Sequence, residues 1–113
     1  MINGKIAIKP LSVNQAYKGR RFSTKKHKKY VKDVLSLLPQ GEINSDFYQL
    51  EITFGFSSSN ADIDNPLKVF QDCLQKKYDF NDRLIKRCVI DVEKVKKGKE
   101  FIKFKLSPFS WNC

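Results

Sequence analysis

The segment of residues 47–56, FYQLEITFGF, constrains the fold most, because its apolar side chains recur at every second position. In an extended chain these side chains lie on one face of a strand, and the polar side chains between them lie on the other. Aromatic and β-branched residues are also enriched in strands. We therefore expect a strand whose core-facing side chains are Tyr48, Leu50, Ile52, Phe54 and Phe56.

Segments with helical periodicity flank this strand. The first follows an N-cap at Ser23 or Thr24, ends at about residue 38, and has a stripe of apolar residues every three or four positions. The second covers residues 66–77, where Asn65 is a candidate N-cap and Pro66 fits the first helical position. Their apolar stripes are Tyr30, Val34 and Leu38 in the first helix, and Leu67, Phe70 and Leu74 in the second.

The two ends of the sequence contain the other strands. Residues 5–9 alternate, with Ile6 and Ile8 on one face, while residues 84–97 and 100–106 alternate on either side of Gly98 and predict a terminal hairpin. The order β-α-β-α-β-β implies an α+β fold, a small mixed β-sheet with two helices packed against it. A chain of 113 residues fits a single domain over residues 1–113. The pattern assigns no element to residues 107–113.

The charge of the chain points to a polyanionic partner. Lysine and arginine number 22 against 12 acidic residues, a net charge of +10. Basic side chains release counterions from phosphates, which drives binding to nucleic acid. The alternative is a surface that is merely soluble. The predicted DNA contacts lie in a mobile basic loop over residues 10–22 and in the helix start after it: Tyr17, Lys18, Arg20, Arg21, Lys25, Lys26, Lys28 and Lys29. The alternative is that these residues form a solvated run of charges.

Other features indicate a cytoplasmic protein. Cys73, Cys88 and Cys113 form an odd set without a CxxC pair, which favours neither a disulfide framework nor a zinc site. The first residues lack the apolar core of a signal peptide, and no apolar run approaches the roughly 20 residues of a membrane helix. We therefore expect no membrane partner.

Two acidic clusters carry the chemical signal, Asp62-Ile63-Asp64-Asn65 and Asn81-Asp82-Arg83. In an extended run, side chains at positions i and i+2 point the same way, so Asp62 and Asp64 would converge. Close carboxylates repel unless a cation lies between them, and hard oxygen ligands suit Mg²⁺ or Mn²⁺. The helix carries the chain about 18 Å away. An extended return of about 16 Å would just bring Asp82 back.

An ordinary structural interpretation stands beside this one. Asp64 or Asn65 before Pro66 is typical of a helix start, and Asp82 could open a turn before a strand. Lys68 could pair with Asp72 at i+4 on a solvated helix face instead of acting on a substrate. Asp72 itself is interpreted as structural.

With these residues identified, the sequence resembles the RusA family of Holliday junction resolvases. The family pattern of Asp-x-Asp-Asn, a lysine four residues after the second Asp and a later acidic pair is met by Asp62, Asp64, Asn65, Lys68 and Asp82. The loop with Pro10, Ser12, Asn14 and Tyr17 resembles the family's Pro-x-x-x-Asn loop, and residues 94–100 resemble its final Lys-x-x-Gly hairpin. Asn81 and Pro66 depart from the pattern.

The resemblance implies a homodimer that binds a four-way DNA junction and makes paired nicks. It implies Mg²⁺ or Mn²⁺ held by Asp62, Asp64 and Asp82, with Lys68 close by, and it adds Asn14 to the DNA contacts. It also suggests a phage or prophage origin. Two alternatives remain: a basic DNA-binding or RNA-binding module without a metal, and a nuclease for other branched DNA such as flaps and forks.

Overall fold

The structure is a computed structural model of the chain. It describes residues 1–11, 17–18, 22–23, 25–58 and 64–111, without the side chains of residues 17, 18, 22, 23, 64 and 65. The elements in these ranges are β1 (Ile2–Ile6), β2 (Tyr17–Lys18), β3 (Phe22–Ser23), α1 (Lys25–Leu37), β4 (Tyr48–Phe56), α2 (Asp64–Tyr78), a 3-10 turn (Asp82–Leu84), β5 (Ile85–Lys94) and β6 (Phe101–Pro108). The predicted order β-α-β-α-β-β is confirmed, and the short β2–β3 pair is an addition to it.

Within the described residues, the strands form a mixed sheet in the order β1-β6-β4-β5. β4 runs parallel to β5 and antiparallel to β6, and β6 pairs antiparallel with β1. Parallel neighbours need a crossover connection, which α2 supplies between β4 and β5. The predicted α+β class with a small mixed sheet is therefore confirmed.

Both helices pack on one face of this sheet. The five core-facing residues predicted for β4 are all buried, and the stripes of α1 and α2 meet them in one hydrophobic cluster. The Phe70 ring of α2 packs edge-on against Phe104 of β6, with centroids 5.6 Å apart. The Tyr78 hydroxyl donates to the Pro39 carbonyl oxygen over 2.7 Å, which ties the end of α2 to the segment after α1.

The predicted terminal hairpin is wrong. β5 and β6 do not pair with each other, because each pairs with β4 on an opposite side. The apolar strand β6 takes the inner position, where Ile102, Phe104 and Leu106 are buried, while β5 carries charged residues and takes the edge. Gly55 of β4 permits the pairing of β4 with β6, because the Phe101 ring of β6 occupies the space that a Cβ at position 55 would fill.

Boundaries differ at three further places. β1 begins at Ile2 and ends at Ile6, earlier than predicted, because Gly4 occupies a core-facing position and interrupts the apolar pattern. α2 begins at Asp64, so Asn65 is not its N-cap; Pro66 is tolerated because N–H groups of a first helical turn lack intrahelical partners. The segment of residues 10–22, predicted as a mobile loop, contains β2 and the first residue of β3. Ser23, one of the two predicted N-caps, lies in β3 and pairs with Tyr17, so it does not cap α1.

Candidate functional site

The described part of the site lies on α2. This helix buries Val69, Phe70, Cys73 and Leu74 in the core. Lys68, Asp72 and Gln75 follow each other at spacings of four and three residues, so they form a neighbouring stripe that reaches solvent. Lys68 is exposed, and Asp72 and Gln75 are half-buried.

Asp82 returns to this stripe after α2 ends. Asp79 has a φ of 53°, a left-handed conformation that turns the chain. The Asn81 side chain caps the 3-10 turn by accepting a hydrogen bond from the Arg83 N–H over 3.0 Å. The Asp82 N–H donates to the Gln75 side-chain oxygen over 3.2 Å. Asp82 is therefore held against the last turn of α2, with its side chain exposed.

Asp72 lies within electrostatic reach of Asp82. Burial raises the pKa of the Asp72 carboxyl above its usual range, and the negative charge of Asp82 raises it further. The positive charges of Lys68 and Lys76 lower this pKa, with a smaller contribution from His27. The Gln75 amide nitrogen also donates to Asp72 Oδ1, over a long 3.4 Å. Gln75 thus lies between the Asp72 carboxylate and the Asp82 backbone.

The proximity of Asp72 to Asp82 was not predicted from the sequence. Its interpretation as structural used only the i+4 spacing from Lys68, and Lys68 does act on the Asp72 carboxyl. The available signal was the position of Asp72 on the same predicted helix face as Lys68, four residues later. A carboxylate on that side, next to Lys68, could have been included among the candidate site residues.

A depression of about 310 Å³ adjoins Asp72 between the two helices. It is lined by His27 and Val31 of α1 and by Asp72, Cys73, Gln75 and Lys76 of α2. Burial and the nearby Lys76 charge lower the pKa of His27, which favours a neutral imidazole. Burial raises the pKa of the Cys73 thiol to about 12, so this thiol stays protonated at neutral pH and is a poor nucleophile.

The first acidic cluster is described only in part. Asp62 lies outside the described residues, as does the side chain of Asp64. The backbone of Asp64 begins α2, so the premise of an extended run does not hold at Asp64. Asp64 is eight residues before Asp72, or about 12 Å along the helix axis. The convergence of Asp62, Asp64 and Asp82 stays a prediction, and within the described ranges no group of three or more potential metal ligands is present.

The described donors suit a hard divalent cation. Asp82 offers an exposed carboxylate, and the Asp72 carboxylate lies close enough for the two negative charges to interact. Oxygen donors of this kind are the ligands that Mg²⁺ and Mn²⁺ prefer, and a cation between them would relieve the repulsion. The two described carboxylates are therefore of the type that the predicted metal prefers. Asp64 begins α2 about 12 Å from Asp72 along the helix axis, so binding of one ion by Asp62, Asp64 and Asp82 together stays a prediction.

The predicted DNA contacts are placed in part. Lys25, Lys26, Lys28 and Lys29 are all exposed on the first turns of α1, away from its buried Tyr30. His27 lies among them and lines the depression next to Asp72, so the basic start of α1 adjoins the acidic site. Asn14, Arg20 and Arg21 lie outside the described residues. For Tyr17 and Lys18 the structure describes the backbone but not the side chains.

Comparison with known proteins assigns no family to the chain. No protein-family model matches it. A search of curated proteins also finds no match. In the described part of the chain, no helix is long and apolar enough to span a membrane.

Proposed function

We propose that the chain is a Mg²⁺-dependent endodeoxyribonuclease that resolves Holliday junctions by paired symmetric nicks during DNA recombination and repair. The observation that carries this proposal is the position of Asp82, which a hydrogen bond to Gln75 holds beside Asp72 on α2. The motif resemblance of Asp62, Asp64, Lys68 and Asp82 gives the reaction class. The chain acts in the cytoplasm in this proposal, and Mn²⁺ can replace Mg²⁺.

The aspartates and Lys68 have separate roles in the reaction. Asp62, Asp64 and Asp82 would hold the metal, and Asp72 lies near Asp82. When bound, such an ion polarises a phosphoryl oxygen and lowers the pKa of water. The exposed Lys68 ammonium can reach a phosphate laid along α2 and offset the negative charge that develops as the phosphodiester bond breaks.

The basic surface would bring the DNA to this site. The exposed lysines at the start of α1 adjoin the Asp72 depression, so a phosphate backbone bound along α1 passes close to the acids. The net charge of +10 compensates for the repulsion between the acidic site and phosphate. The loop with Asn14, Tyr17, Lys18, Arg20 and Arg21 would extend the contact.

A homodimer follows from the proposed reaction. One chain has one acidic site and nicks one strand, whereas a four-way junction needs two nicks related by two-fold symmetry. The sheet face opposite the helices offers a surface for a second copy. It contains a shallow depression of about 600 Å³ whose lining includes Lys5, Lys103 and Lys105 as well as Glu51 and Asp91, so two copies can place opposite charges together.

Mixing active and inactive chains tests the dimer. Wild-type protein is mixed with the Asp64→Asn variant and incubated with a supercoiled cruciform plasmid. Heterodimers should give nicked circles, while pairs of wild-type chains should give linear DNA. A monomeric mass by sedimentation at assay concentrations, together with linear product that falls only in proportion to dilution, would contradict the dimer.

A panel of DNA substrates tests the proposed activity itself. Labelled four-way, forked and linear duplexes are incubated with Mg²⁺ and analysed on denaturing gels. We expect symmetric cuts in the four-way junction and little cutting of linear duplex. If forks or flaps are cut at least as fast as the four-way junction, the chain is a nuclease for other branched DNA. Tight binding without cutting in Mg²⁺ or Mn²⁺ would make it a binding module.

A further inference from the structure

The segment after β6 forms an aromatic cluster with the start of β4. The Trp111 ring packs edge-on against Phe109 and Phe47, with centroid distances of 5.1 Å and 6.0 Å. The Phe109 N–H donates to the Phe47 carbonyl oxygen over 2.9 Å, which fixes the two phenylalanines side by side. Trp111 nevertheless keeps 64% of its surface exposed, so much of its indole ring remains accessible to a ligand.

A basic side chain is added to this cluster by an irregularity in the sheet. Tyr48 pairs with Ile85, but Gln49 pairs with Arg87, which leaves Lys86 as an extra residue on β5. Bulges of this kind redirect a side chain and are common next to functional sites. The Lys86 Nζ lies 5.5 Å from the centroid of the Phe47 ring, within range of a cation–π interaction.

The cluster lies near the proposed catalytic site. Lys86 follows Asp82 by four residues, so their Cα atoms are at most about 13 Å apart. A DNA strand rises about 3.4 Å per nucleotide, so this distance corresponds to about four nucleotides of duplex. A strand held near Asp82 could therefore extend to the aromatic cluster without a sharp bend.

We propose that Phe47, Trp111 and Lys86, supported by Phe109, form a stacking site for an unstacked nucleobase of DNA. Exposed aromatic rings stack on bases of any sequence, because every base has a π face, and a nearby cation binds the adjoining phosphate. The strongly basic chain favours this anionic ligand over an apolar protein partner. The inference goes beyond the proposed nuclease function, because it needs DNA with unstacked bases but no cleavage.

Fluorescence of the chain's single tryptophan reports directly on this site. The full chain is titrated, with a metal chelator present, with three probes of similar charge: oligothymidylate, an abasic strand of the same length, and a linear duplex. Stacking should quench Trp111 with oligothymidylate and much less with the other two. Equal quenching by all three probes would overturn the proposal, because phosphate contact alone would then explain the quenching. The absence of quenching by any probe would also overturn the proposal.

Affinity measurements on variants complete the test. Trp111→Ala should weaken binding of labelled oligothymidylate roughly five- to hundredfold, as expected for loss of one stacked base, while Trp111→Phe should keep most of the affinity. Leu37→Ala is the control, because Leu37 is likewise an exposed apolar residue, at 49%, and belongs to α1. Unchanged affinity of Trp111→Ala would overturn the stacking site.

The outcome is independent of the nuclease activity. A wild-type protein that cuts four-way junctions but shows no base-dependent quenching would contradict the stacking site alone. A protein that shows the quenching but never cuts would contradict the proposed nuclease and leave the stacking site supported. Binding of an apolar protein fragment at Trp111 that oligothymidylate cannot displace would overturn the choice of ligand.

Discussion

The side-chain oxygen of Gln75 accepts a hydrogen bond from the backbone N–H of Asp82, 3.2 Å away and seven residues later in the chain. This contact positions Asp82, from the second acidic cluster, against α2, the helix that begins within the first acidic cluster. The same Gln75 amide donates to Asp72 Oδ1, although over 3.4 Å. Gln75 therefore acts on the candidate metal site through the residues that it orients.

Replacing Gln75 should weaken metal binding. In Gln75→Ala the Asp82 segment no longer has its link to α2, and groups that orient metal ligands typically change metal affinity or activity by about 10- to 100-fold. We expect the Mg²⁺ concentration for half-maximal cutting to rise by about tenfold. Saturating Mg²⁺ should largely restore turnover. Gln71→Ala on the same helix is the control, and a loss of cutting that no metal concentration restores would indicate a general folding defect instead.

Removing the Asp72 charge should stabilise the chain without metal. Because the pKa of Asp72 is raised above 3.8 in the folded protein, the folded state loses stability as pH rises from 3.8 through the raised pKa. Asp72→Asn should therefore have a higher Tm than wild type at pH 7, and this difference should shrink at pH 3.5. Thermal melts in a chelator measure it. A lower Tm for Asp72→Asn at pH 7 would contradict the electrostatic account.

Lys68 should act on the chemical step. Lys68→Ala should lower the cutting rate at saturating DNA by about 100-fold, while binding changes little, because the lysine stabilises charge in the transition state. Lys68→Arg need not rescue the rate, since a guanidinium has a different shape. Lys99→Ala, in the turn before β6, is the control. A loss confined to affinity would make Lys68 one phosphate contact among many.

The core of the fold was predictable from local pattern. Period-two alternation specified β4, and the stripe with Tyr30 and Val34 specified α1, because burial of one face leaves a direct periodic signal. Strand partners were not predictable in this way. Alternation in β5 and β6 is equally compatible with a hairpin and with pairing to β4. The tertiary packing of the apolar strand β6, including Phe101 over Gly55, distinguishes them.

The sequence nominated candidate site residues but did not give their geometry. Spacing nominated Asp62, Asp64 and Asp82, and chain lengths allowed an extended return of Asp82 to the first two aspartates. The described chain instead turns at Asp79 and holds Asp82 at Gln75, near the end of α2. The contact that holds Asp82 involves the side chain of Gln75, and no sequence pattern marks a glutamine that bonds a backbone N–H seven residues later. Asp72 was missed because its proximity to Asp82 depends on this turn.

Salt dependence should report on the basic loop. Neutralising Arg20 and Arg21 together should reduce the slope of log affinity against log salt by about 2, because each phosphate that the protein no longer neutralises lowers the slope by about one unit. The control neutralises Lys97 and Lys99, which are exposed between β5 and β6. These substitutions remove the same amount of charge from a different part of the chain. If both double variants change the slope equally, only the overall charge matters and the loop makes no specific contact.

The most direct test measures cutting and binding together for the three aspartates. Asp62→Asn, Asp64→Asn and Asp82→Asn are each compared with wild type on a labelled four-way junction, with cutting measured in Mg²⁺ and binding in a chelator. The account predicts that each variant loses cutting and binds the junction at least as tightly as wild type, because a carboxylate without its metal repels phosphate. Near wild-type nicking by Asp82→Asn at saturating DNA would contradict it.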